Sequence, residues 1–321
     1  MGNFFTDTVL MVRPVAFGFN EQTAGNNAFQ QTGYNEGAQQ KALEEFDNFV
    51  SLLKDAGVNV LVAQDTLEPH TPDSIFPNNW FSTHSAEETS SENSTDATDN
   101  KSTIVLYPMF APNRREERNK NVMALLKEHY NNKFNLIDFT ESEKDGAFLE
   151  GTGSLILDRE AKIAYACISP RTDEDILDEW ADRLGYDYCS FEATDANGTP
   201  IYHTNVMMCM GSRYAIVCLD AIPDIEERMN LIEVIEESGK EIFEITLDQM
   251  ESFAGNMLEL QGKDAAGNTR PVLVMSKTAK ESLDSEQLHL LQNYATIVAP
   301  DLDCIEKNGG GSARCMIAEV C

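Results

Sequence analysis

The sequence has few positive charges for its length. Its 321 residues include 24 Lys and Arg against 54 Asp and Glu, which gives a formal net charge of −30 at pH 7. Nucleic acids and anionic membrane surfaces attract proteins through Lys and Arg, so we expect this chain to bind neither of them. No apolar run approaches the roughly 20 residues that cross a bilayer. Apolar residues still make up 42% of the chain, which predicts a globular fold with a core.

Metal-binding and disulfide patterns are also missing. The five His form no HExxH motif, and the seven Cys form no CxxC motif. We therefore expect no metal site and no cofactor. An odd number of Cys without a secretory signal predicts a reduced, cytoplasmic protein. Redox sensing through one of the thiols is an alternative.

One supersecondary pattern recurs five times along the chain. Each copy has a strand that opens with polar or small residues, a second and nearly all-apolar strand, an amphipathic helix and a third strand. The first strands are predicted to begin at Pro77, Glu150, His203, Ala254 and Ser312. The second strands are predicted at 103–107, 162–166, 213–217 and 271–275. Three of the helices show apolar faces, formed by Leu43, Phe46, Val50 and Leu53, by Ile176, Trp180 and Leu184, and by Met229, Ile232 and Ile235.

The fifth copy lacks a second strand after its first, and segment 8–12 near the other end has the matching sequence. We therefore predict an α/β fold, a five-bladed α/β propeller of five ββαβ modules with pseudo-fivefold symmetry. The N-terminal strand would close the last module. No linker divides residues 1–321, which predicts a single catalytic domain. The stretch 84–102 is rich in Ser, Thr, Asn and Glu, and is predicted to be a polar, disorder-prone loop insertion, with a functional lid as the alternative.

Polar residues from different modules are predicted to meet at the centre of this ring. They are Asp73, Asn78, Asn79, Glu150, His203, Asn205, Asn256 and Cys315. A Cys, a His and a Glu together provide what nucleophilic catalysis needs, because a thiolate attacks and an imidazole moves protons. The glycine run 309–311 would present backbone amides to a developing charge. Taken singly, Cys315 or His203 also fits a purely structural role.

Several segments together carry a family resemblance. They are Met11-Val12-Arg13-Pro14, Phe17-Gly18-Phe19-Asn20, Asp73-Ser74-Ile75-Phe76-Pro77-Asn78-Asn79-Trp80, Leu149-Glu150-Gly151-Thr152-Gly153-Ser154, His203-Thr204-Asn205-Val206-Met207-Met208 and Gly310-Gly311-Ser312-Ala313-Arg314-Cys315-Met316. With these segments the chain resembles the amidinotransferase or pentein superfamily, whose members modify guanidino groups on a five-bladed α/β propeller. Within it, the chain looks most like the citrulline utilisation hydrolases.

The resemblance implies roles for individual residues. Cys315 is the expected nucleophile, His203 the general acid and base, and Glu150 a partner of His203 or of the substrate nitrogens. The residues expected to bind substrate are Asp73, Asn78, Asn79, Asn205 and Asn20, with Arg13 and Arg314 as candidate partners of its carboxylate. The expected partner is a small amino acid, and a homodimer is compatible with the sequence.

Two departures from related enzymes bear on the substrate. Arginine deiminases and dimethylarginine hydrolases usually carry Asp where this chain has Asn79, and arginine deiminases carry Asp at the position of Asn205. Two carboxylates suit a guanidinium, which has only donors, whereas an Asn amide complements the C=O and NH2 of a urea group. We therefore expect citrulline to be hydrolysed to ornithine, carbon dioxide and ammonia. An arginine deiminase or dihydrolase is the alternative, followed by an amidinotransferase and a non-catalytic binding module.

Overall fold

Five separate three-stranded sheets make up the β structure of the computed structural model, which describes residues 5–27, 29–31, 37–89 and 101–321. The strands are β1 Thr8–Arg13, β2 Asn59–Gln64, β3 Phe81–His84, β4 Ser102–Leu106, β5 Phe134–Asp138, β6 Leu155–Asp158, β7 Ile163–Cys167, β8 Asp187–Phe191, β9 Met208–Met210, β10 Tyr214–Val217, β11 Glu241–Glu244, β12 Leu258–Lys263, β13 Thr269–Val274, β14 Thr296–Val298 and β15 Ala318–Glu319.

Helices connect these strands. The α-helices are α1 Ala38–Asp55, α2 Ala86–Thr89, α3 Pro112–Arg115, α4 Lys120–His129, α5 Gly151–Ser154, α6 Glu174–Leu184, α7 Ile225–Glu237, α8 Leu247–Glu251, α9 Lys277–Ser282, α10 Ser285–Tyr294 and α11 Asp303–Gly309. The 3-10 turns are Ala24–Asn26, Pro77–Asn79, Thr140–Lys144, Thr204–Val206 and Leu219–Ala221. Among the described residues, no helix is long and apolar enough to cross a membrane.

All five sheets share one topology. The middle strand pairs antiparallel with the first strand and parallel with the third, as in β3-β4-β5, where Phe81 lies opposite Leu106 and Thr103 opposite Asn135. In the last sheet, β1 is the middle strand between β15 and β2. The predicted pairing of the N-terminal strand with the C-terminal module is therefore confirmed. The middle strands are apolar because both of their faces are covered.

The first strands begin later than predicted. The polar residues expected to open them instead form one turn of helix, at Pro77–Asn79, Gly151–Ser154 and Thr204–Val206, and β3, β6 and β9 follow. Asn, Ser, Thr and Gly favour such turns over extended structure, which explains the difference. The candidate site residues accordingly lie on short turns that precede strands.

The helices pack their apolar faces against the sheets. In α6, Asp173 caps the N-terminus by accepting from the Ile176 N–H, and Gly185, with φ of 70°, ends the helix. Its buried face includes Trp180 and Leu184, as predicted. The predicted face of α7 is wrong in part, because Met229 is 58% exposed. This helix instead packs through Leu231 and Ile235, which are four residues apart on one side.

The predicted loop at 84–102 overlaps regular structure at both of its ends. His84 is a fully buried end of β3, α2 follows it, and Ser102 already belongs to β4. The buried Glu88 in α2 pairs with Arg159, which draws this part of the segment into the protein. Residues 90–100 of the predicted insertion lie outside the described residues.

Candidate active site

One narrow cavity brings together turns from four of the five sheets. Its walls are formed by Thr23, Asn27, Asp73, Phe76, Asn79, Arg114, Arg171, Tyr202, His203, Gly309, Gly310, Gly311 and Cys315. A larger cavity of about 550 Å³ lies on the other side of Asn27 and Tyr202, and neither Cys315 nor His203 lines it. The chemically equipped cavity is the narrow one, because it joins a thiol, an imidazole, a carboxylate and guanidinium groups.

His203 and Glu150 form a buried pair, with Nε2 of His203 2.8 Å from Oε2 of Glu150. Burial would raise the pKa of Glu150, but Arg171, His203 and Arg114 together lower it well below its usual value. The carboxylate is therefore ionised and accepts the Nε2 hydrogen, which leaves the lone pair on Nδ1. Burial lowers the pKa of His203 to about 4 against the opposing effect of Glu150. His203 is thus a neutral base at pH 7.

Gly153 leaves the space that this imidazole needs. A Cβ at this position would lie 2.8 Å from Nδ1 of His203 and 2.2 Å from Nδ2 of Asn79. Such distances are far inside van der Waals contact, so any larger residue would displace both side chains. The Gly-Thr-Gly segment therefore serves close packing at the site.

Cys315 lies in a turn after the glycine run, and its N–H donates to the carbonyl oxygen of Ser312 at 3.0 Å. Two side-chain amides point at its sulfur, Nδ2 of Asn256 at 3.2 Å and Nδ2 of Asn205 at 3.5 Å. Cys315 is 8% exposed and lines the cavity. The sulfur is therefore surrounded by hydrogen-bond donors on its buried side.

The glycine run shapes the cavity, and one of its three amides is already paired. Gly310 has φ of 64° and ends α11, and its N–H donates to the carbonyl oxygen of Glu306. A Cβ at Gly309 or Gly311 would lie 2.7 or 2.8 Å from the ring of Phe76. These glycines end the helix and make room for Phe76, and the Gly310 amide is not available to a developing charge.

Asn79 is oriented by a buried arginine. Nη1 of Arg114 donates to Oδ1 of Asn79 at 3.0 Å, and its Nε and Nη2 donate to the carboxylate of Glu117. Since Arg114 has only donors, the oxygen of Asn79 must face it, and the amide nitrogen faces away. This Nδ2 is buried and has no protein partner among the described residues. Asn79 thus lines the cavity and keeps an unpaired donor, which lies against Gly153 and next to the imidazole of His203.

Asp73 has one oxygen bound and one left over. Its Oδ2 accepts from Nδ2 of Asn20 at 2.7 Å and from Oγ1 of Thr23 at 3.3 Å. Its Oδ1 is buried without a partner among the described residues. Burial raises the pKa of Asp73, and Arg114 opposes the shift. The cavity thus contains an acceptor as well as the Asn79 donor.

Several predicted substrate contacts are not in the cavity wall. Arg13 lies at the surface and binds Asp47, and Arg314 is buried in an ion pair with Glu319. Both are paired with acidic side chains, and neither lines the cavity. Asn20 supports Asp73 from behind.

Asn78 and Asn205 are also placed differently. Asn78 is fully buried outside the cavity wall, and Asn205 lies behind Cys315, where its amide contacts the sulfur. Sequence reasoning missed Arg114, Arg171 and Tyr202 in the wall. Arg114 comes from a charged run, 113–118, that is typical of an exposed helix, and only its bidentate pairing with Glu117 makes its burial tolerable. Among the described residues, no cluster of three or more His, Cys, Asp or Glu is arranged to hold a metal ion.

Comparison with solved structures shows the fold. The N-terminal domain of ArgZ, an arginine dihydrolase from cyanobacteria crystallised with substrate as a Cys-to-Ser mutant, is 18% identical over 98% of this chain and 97% of that one, with a TM-score of 0.70. The AgrE Cys-to-Ala mutant with L-arginine is 17% identical over 98% of this chain and 40% of that one, with a TM-score of 0.71. DDAH from Pseudomonas aeruginosa, a Cys-to-Ser mutant with citrulline, is 13% identical over 98% and 99%, with a TM-score of 0.62.

The chain spans about 40% of the ArgZ chain in its apo structure. No curated protein sequence gives a significant match. The family model described as N,N dimethylarginine dimethylhydrolase, eukaryotic, matches residues 13–321. The predicted superfamily and the predicted hydrolase class are thereby confirmed. The chain belongs to the N,N dimethylarginine dimethylhydrolase family, within the superfamily of pentein enzymes that modify guanidino groups.

Proposed function

We propose that this enzyme hydrolyses the terminal ureido group of citrulline to ornithine, carbon dioxide and ammonia, with Cys315 as the nucleophile. The orientation of Asn79 carries the choice of substrate. Because Arg114 holds its oxygen, Asn79 offers the cavity an N–H donor. A ureido oxygen accepts a hydrogen bond from such a donor. A guanidinium has only N–H donors and no acceptor, so it cannot.

The chemistry begins with proton transfer from the Cys315 thiol to Nδ1 of His203, which forms an imidazolium held by Glu150. The sulfur attacks the ureido carbon, and one C–N bond breaks as the departing nitrogen takes the proton back from His203. A thiocarbamate on Cys315 remains. His203, neutral again, removes a proton from one water molecule that cleaves the C–S bond, and the resulting carbamic acid decays to carbon dioxide and an amine.

The amino acid end of the substrate needs a cation and an acceptor. Arg114 and Arg171 are the basic residues in the cavity wall. Arg114 already donates hydrogen bonds to Glu117, Asn79 and the Phe76 carbonyl oxygen. We assign the α-carboxylate to Arg171, whose guanidinium stacks on the ring of Tyr202 at 4.7 Å and contacts Glu150 through Nη1 at 3.5 Å. Substrate N–H groups are assigned to Oδ1 of Asp73.

Arginine is the second candidate substrate, as in a dihydrolase. The ionised Glu150 places negative charge near the cavity, which favours a cation. ArgZ is an arginine dihydrolase, and L-arginine is bound to AgrE. A dihydrolase would also use the ureido chemistry described above in its second half-reaction.

The five sheets are proposed to be the blades of one closed α/β propeller formed by a single domain. Five hydrogen bonds between consecutive modules support this arrangement and lead back to the starting point. They run from Thr152 Oγ1 to Asn78 O, from Thr204 Oγ1 to Ser154 O, from Asn256 Nδ2 to Asn205 O, from Arg314 N to Asn256 Oδ1 and from Thr83 Oγ1 to Glu319 O. A closed ring explains why four modules contribute to one cavity.

The substrate assignment is tested by incubating the purified protein separately with citrulline, arginine and N,N-dimethylarginine and measuring ornithine, ammonia and citrulline. Ornithine from citrulline, with no turnover of the two guanidines, supports the proposal. Turnover of arginine with inert citrulline would contradict it, and ornithine from both substrates would establish the dihydrolase instead.

An Asn79→Asp variant tests the observation behind the assignment. The new carboxylate would replace the donor by an acceptor, and we expect the preference for citrulline over arginine to fall by about 10- to 100-fold. Asn78→Asp is the matched control, because it adds the same charge one residue away and outside the cavity wall. An equal change in both variants would show that general electrostatics, and not the Asn79 amide, sets the preference.

A further inference from the structure

Asn256 lies where three modules meet. It follows the turn after α8, in which Phe253 has φ of 64°. The adjacent Gly255 packs so closely against the preceding module that a Cβ would lie 2.3 Å from the carbonyl oxygen of Val206. The side chain is 2% exposed. Its position is therefore determined by the backbone around it, and neither solvent nor substrate is needed to hold it.

Every hydrogen-bonding group of the Asn256 amide is in use. Oδ1 accepts from the Arg314 N–H at 3.0 Å, and Nδ2 donates to the Asn205 carbonyl oxygen at 3.0 Å and to the Cys315 sulfur at 3.2 Å. A backbone N–H only donates and a carbonyl only accepts, so this orientation is unambiguous. No group is left to contact a substrate, and the free end of the amide is aimed at the sulfur.

The sulfur needs such a donor. His203 is neutral at pH 7 because burial lowers its pKa to about 4, so no imidazolium is present in the resting site to stabilise negative charge on sulfur. No Lys or Arg side chain among the described residues hydrogen-bonds to the thiol. A sulfur anion accepts hydrogen bonds more strongly than a thiol, so N–H donors aimed at it favour the ionised form.

We propose that Asn256, with Asn205 beside it, is a catalytic residue that stabilises the Cys315 thiolate by direct hydrogen bonding during attack. This inference rests on the proposed role of Cys315 as the nucleophile. It assigns no substrate contact to Asn256, and it moves Asn205 from the expected substrate contact to a contact with the nucleophile. The two amides supply the stabilisation that an imidazolium would give to the thiolate in a resting thiolate–imidazolium pair.

The rate of Cys315 alkylation by iodoacetamide tests the proposal as a function of pH, because only the thiolate reacts. Mass spectrometry of the Cys315 peptide separates this reaction from that of the other thiols. In Asn256→Ala we expect the pH midpoint of alkylation to rise by about one to two units. Asn256→Asp retains an oxygen that accepts from the Arg314 N–H, but it places a negative carboxylate next to the Cys315 sulfur. The pH midpoint of Cys315 alkylation is therefore expected to rise further in this variant.

Asn230→Ala is the matched control. Nδ2 of Asn230 also contacts a sulfur, that of Cys189 at 3.4 Å, and neither residue lines the cavity. Its Cys315 midpoint is expected to equal that of the unaltered protein. Unchanged midpoints in the folded Asn256 variants would overturn the proposal. Thermal unfolding of each variant shows which ones are folded.

A measurement on the unaltered sequence covers the case in which neither Asn256 variant folds. With ¹⁵N-labelled asparagine, side-chain amide signals are expected to shift with the same pH midpoint as the alkylation and to stop shifting in Cys315→Ser. Absence of any such signal would overturn the proposal. Neither readout involves citrulline, so a shifted midpoint without citrulline turnover would refute the proposed substrate and leave this inference standing.

Discussion

Two buried histidines are each bonded to a glutamate, and they differ in what their second nitrogen does. Nδ1 of His84 lies 2.6 Å from Glu88, and its Nε2 lies 2.8 Å from Oγ of Ser82. Nε2 of His203 lies 2.8 Å from Glu150, but its Nδ1 faces the space left by Gly153 and makes no hydrogen bond with a described residue.

The surroundings of the two pairs repeat this difference. Glu88 is bound by both a histidine and Arg159, and although burial raises its pKa, Arg159 and His84 lower it to about 2. Around His203, by contrast, buried atoms of Asp73 and Asn79 have no partner among the described residues. The carboxylate of Glu88 and both ring nitrogens of His84 are bonded, whereas the cavity beside His203 keeps polar atoms that are available to a substrate. The same residue pair therefore serves structure in one place and chemistry in the other.

The largest effect is expected from Cys315→Ser. The hydroxyl is a much weaker nucleophile, and we expect hydrolysis to fall by about 10⁴-fold or more, measured as ornithine formation. Cys304→Ser is the matched control, because Cys304 has the same 8% exposure as Cys315 and lies in the same C-terminal segment outside the cavity wall. Retention of activity in Cys315→Ser would remove this cysteine from the mechanism.

The two histidines are expected to respond in opposite ways. His203→Gln loses the base and should lower kcat by about 10²- to 10⁴-fold with little change in unfolding. His84→Gln breaks two buried hydrogen bonds and should lower the free energy of unfolding by about 1–3 kcal/mol while leaving kcat within a few fold. Denaturant titration and initial rates measure both. Equal kcat losses in the two variants would contradict the assignment of a catalytic role to the His203–Glu150 pair and a structural role to the His84–Glu88 pair.

The depressed pKa of His203 makes stability depend on pH. The unfolded histidine takes up a proton near pH 6.5, while the folded one stays neutral down to about 4. The free energy of unfolding is therefore highest above pH 6.5 and falls as the pH drops from 6.5 to 4, by roughly 3 kcal/mol. In His203→Gln this part of the slope disappears. A slope identical in both proteins would show that His203 titrates normally in the folded state.

A smaller effect, on KM, is expected from substituting an arginine of the cavity wall and one of the surface. Arg171→Lys keeps the charge but loses the planar guanidinium on Tyr202, and we expect KM for citrulline to rise about tenfold. Arg13→Ala removes a surface pair with Asp47 and should leave KM unchanged. A larger KM change in Arg13→Ala would restore the original assignment of the substrate carboxylate.

Sequence reasoning predicted the fold best where burial on both faces leaves a continuous apolar run. The middle strands, such as Tyr214–Val217, were placed within one or two residues. It failed where local and distant preferences compete. Met229 fits the helical period of its neighbours as well as Leu231 does, and only the packed sheet decides which of the two is buried.

The site could be predicted in the same uneven way. Cys315, His203 and Glu150 stand out because their chemistry is rare and their segments resemble a family. Arg114 and Asn256 do not stand out, since their roles depend on partners from other modules, Asn79 for one and Arg314 with Cys315 for the other. Which basic side chains line the cavity is a property of the folded chain, and the sequence around Arg171 does not distinguish it from Arg13 or Arg314.

The most direct test of the account is a denaturing mass spectrum of the protein quenched in acid during turnover of citrulline. The account expects a thiocarbamate on the peptide that contains Cys315, with the mass of a carbamoyl group if ornithine leaves first or of an ornithine-bearing carbamoyl group if ammonia leaves first, absent from Cys315→Ser and retained in Cys304→Ser. Turnover without any adduct on Cys315, together with full activity after this thiol has been alkylated, would contradict it.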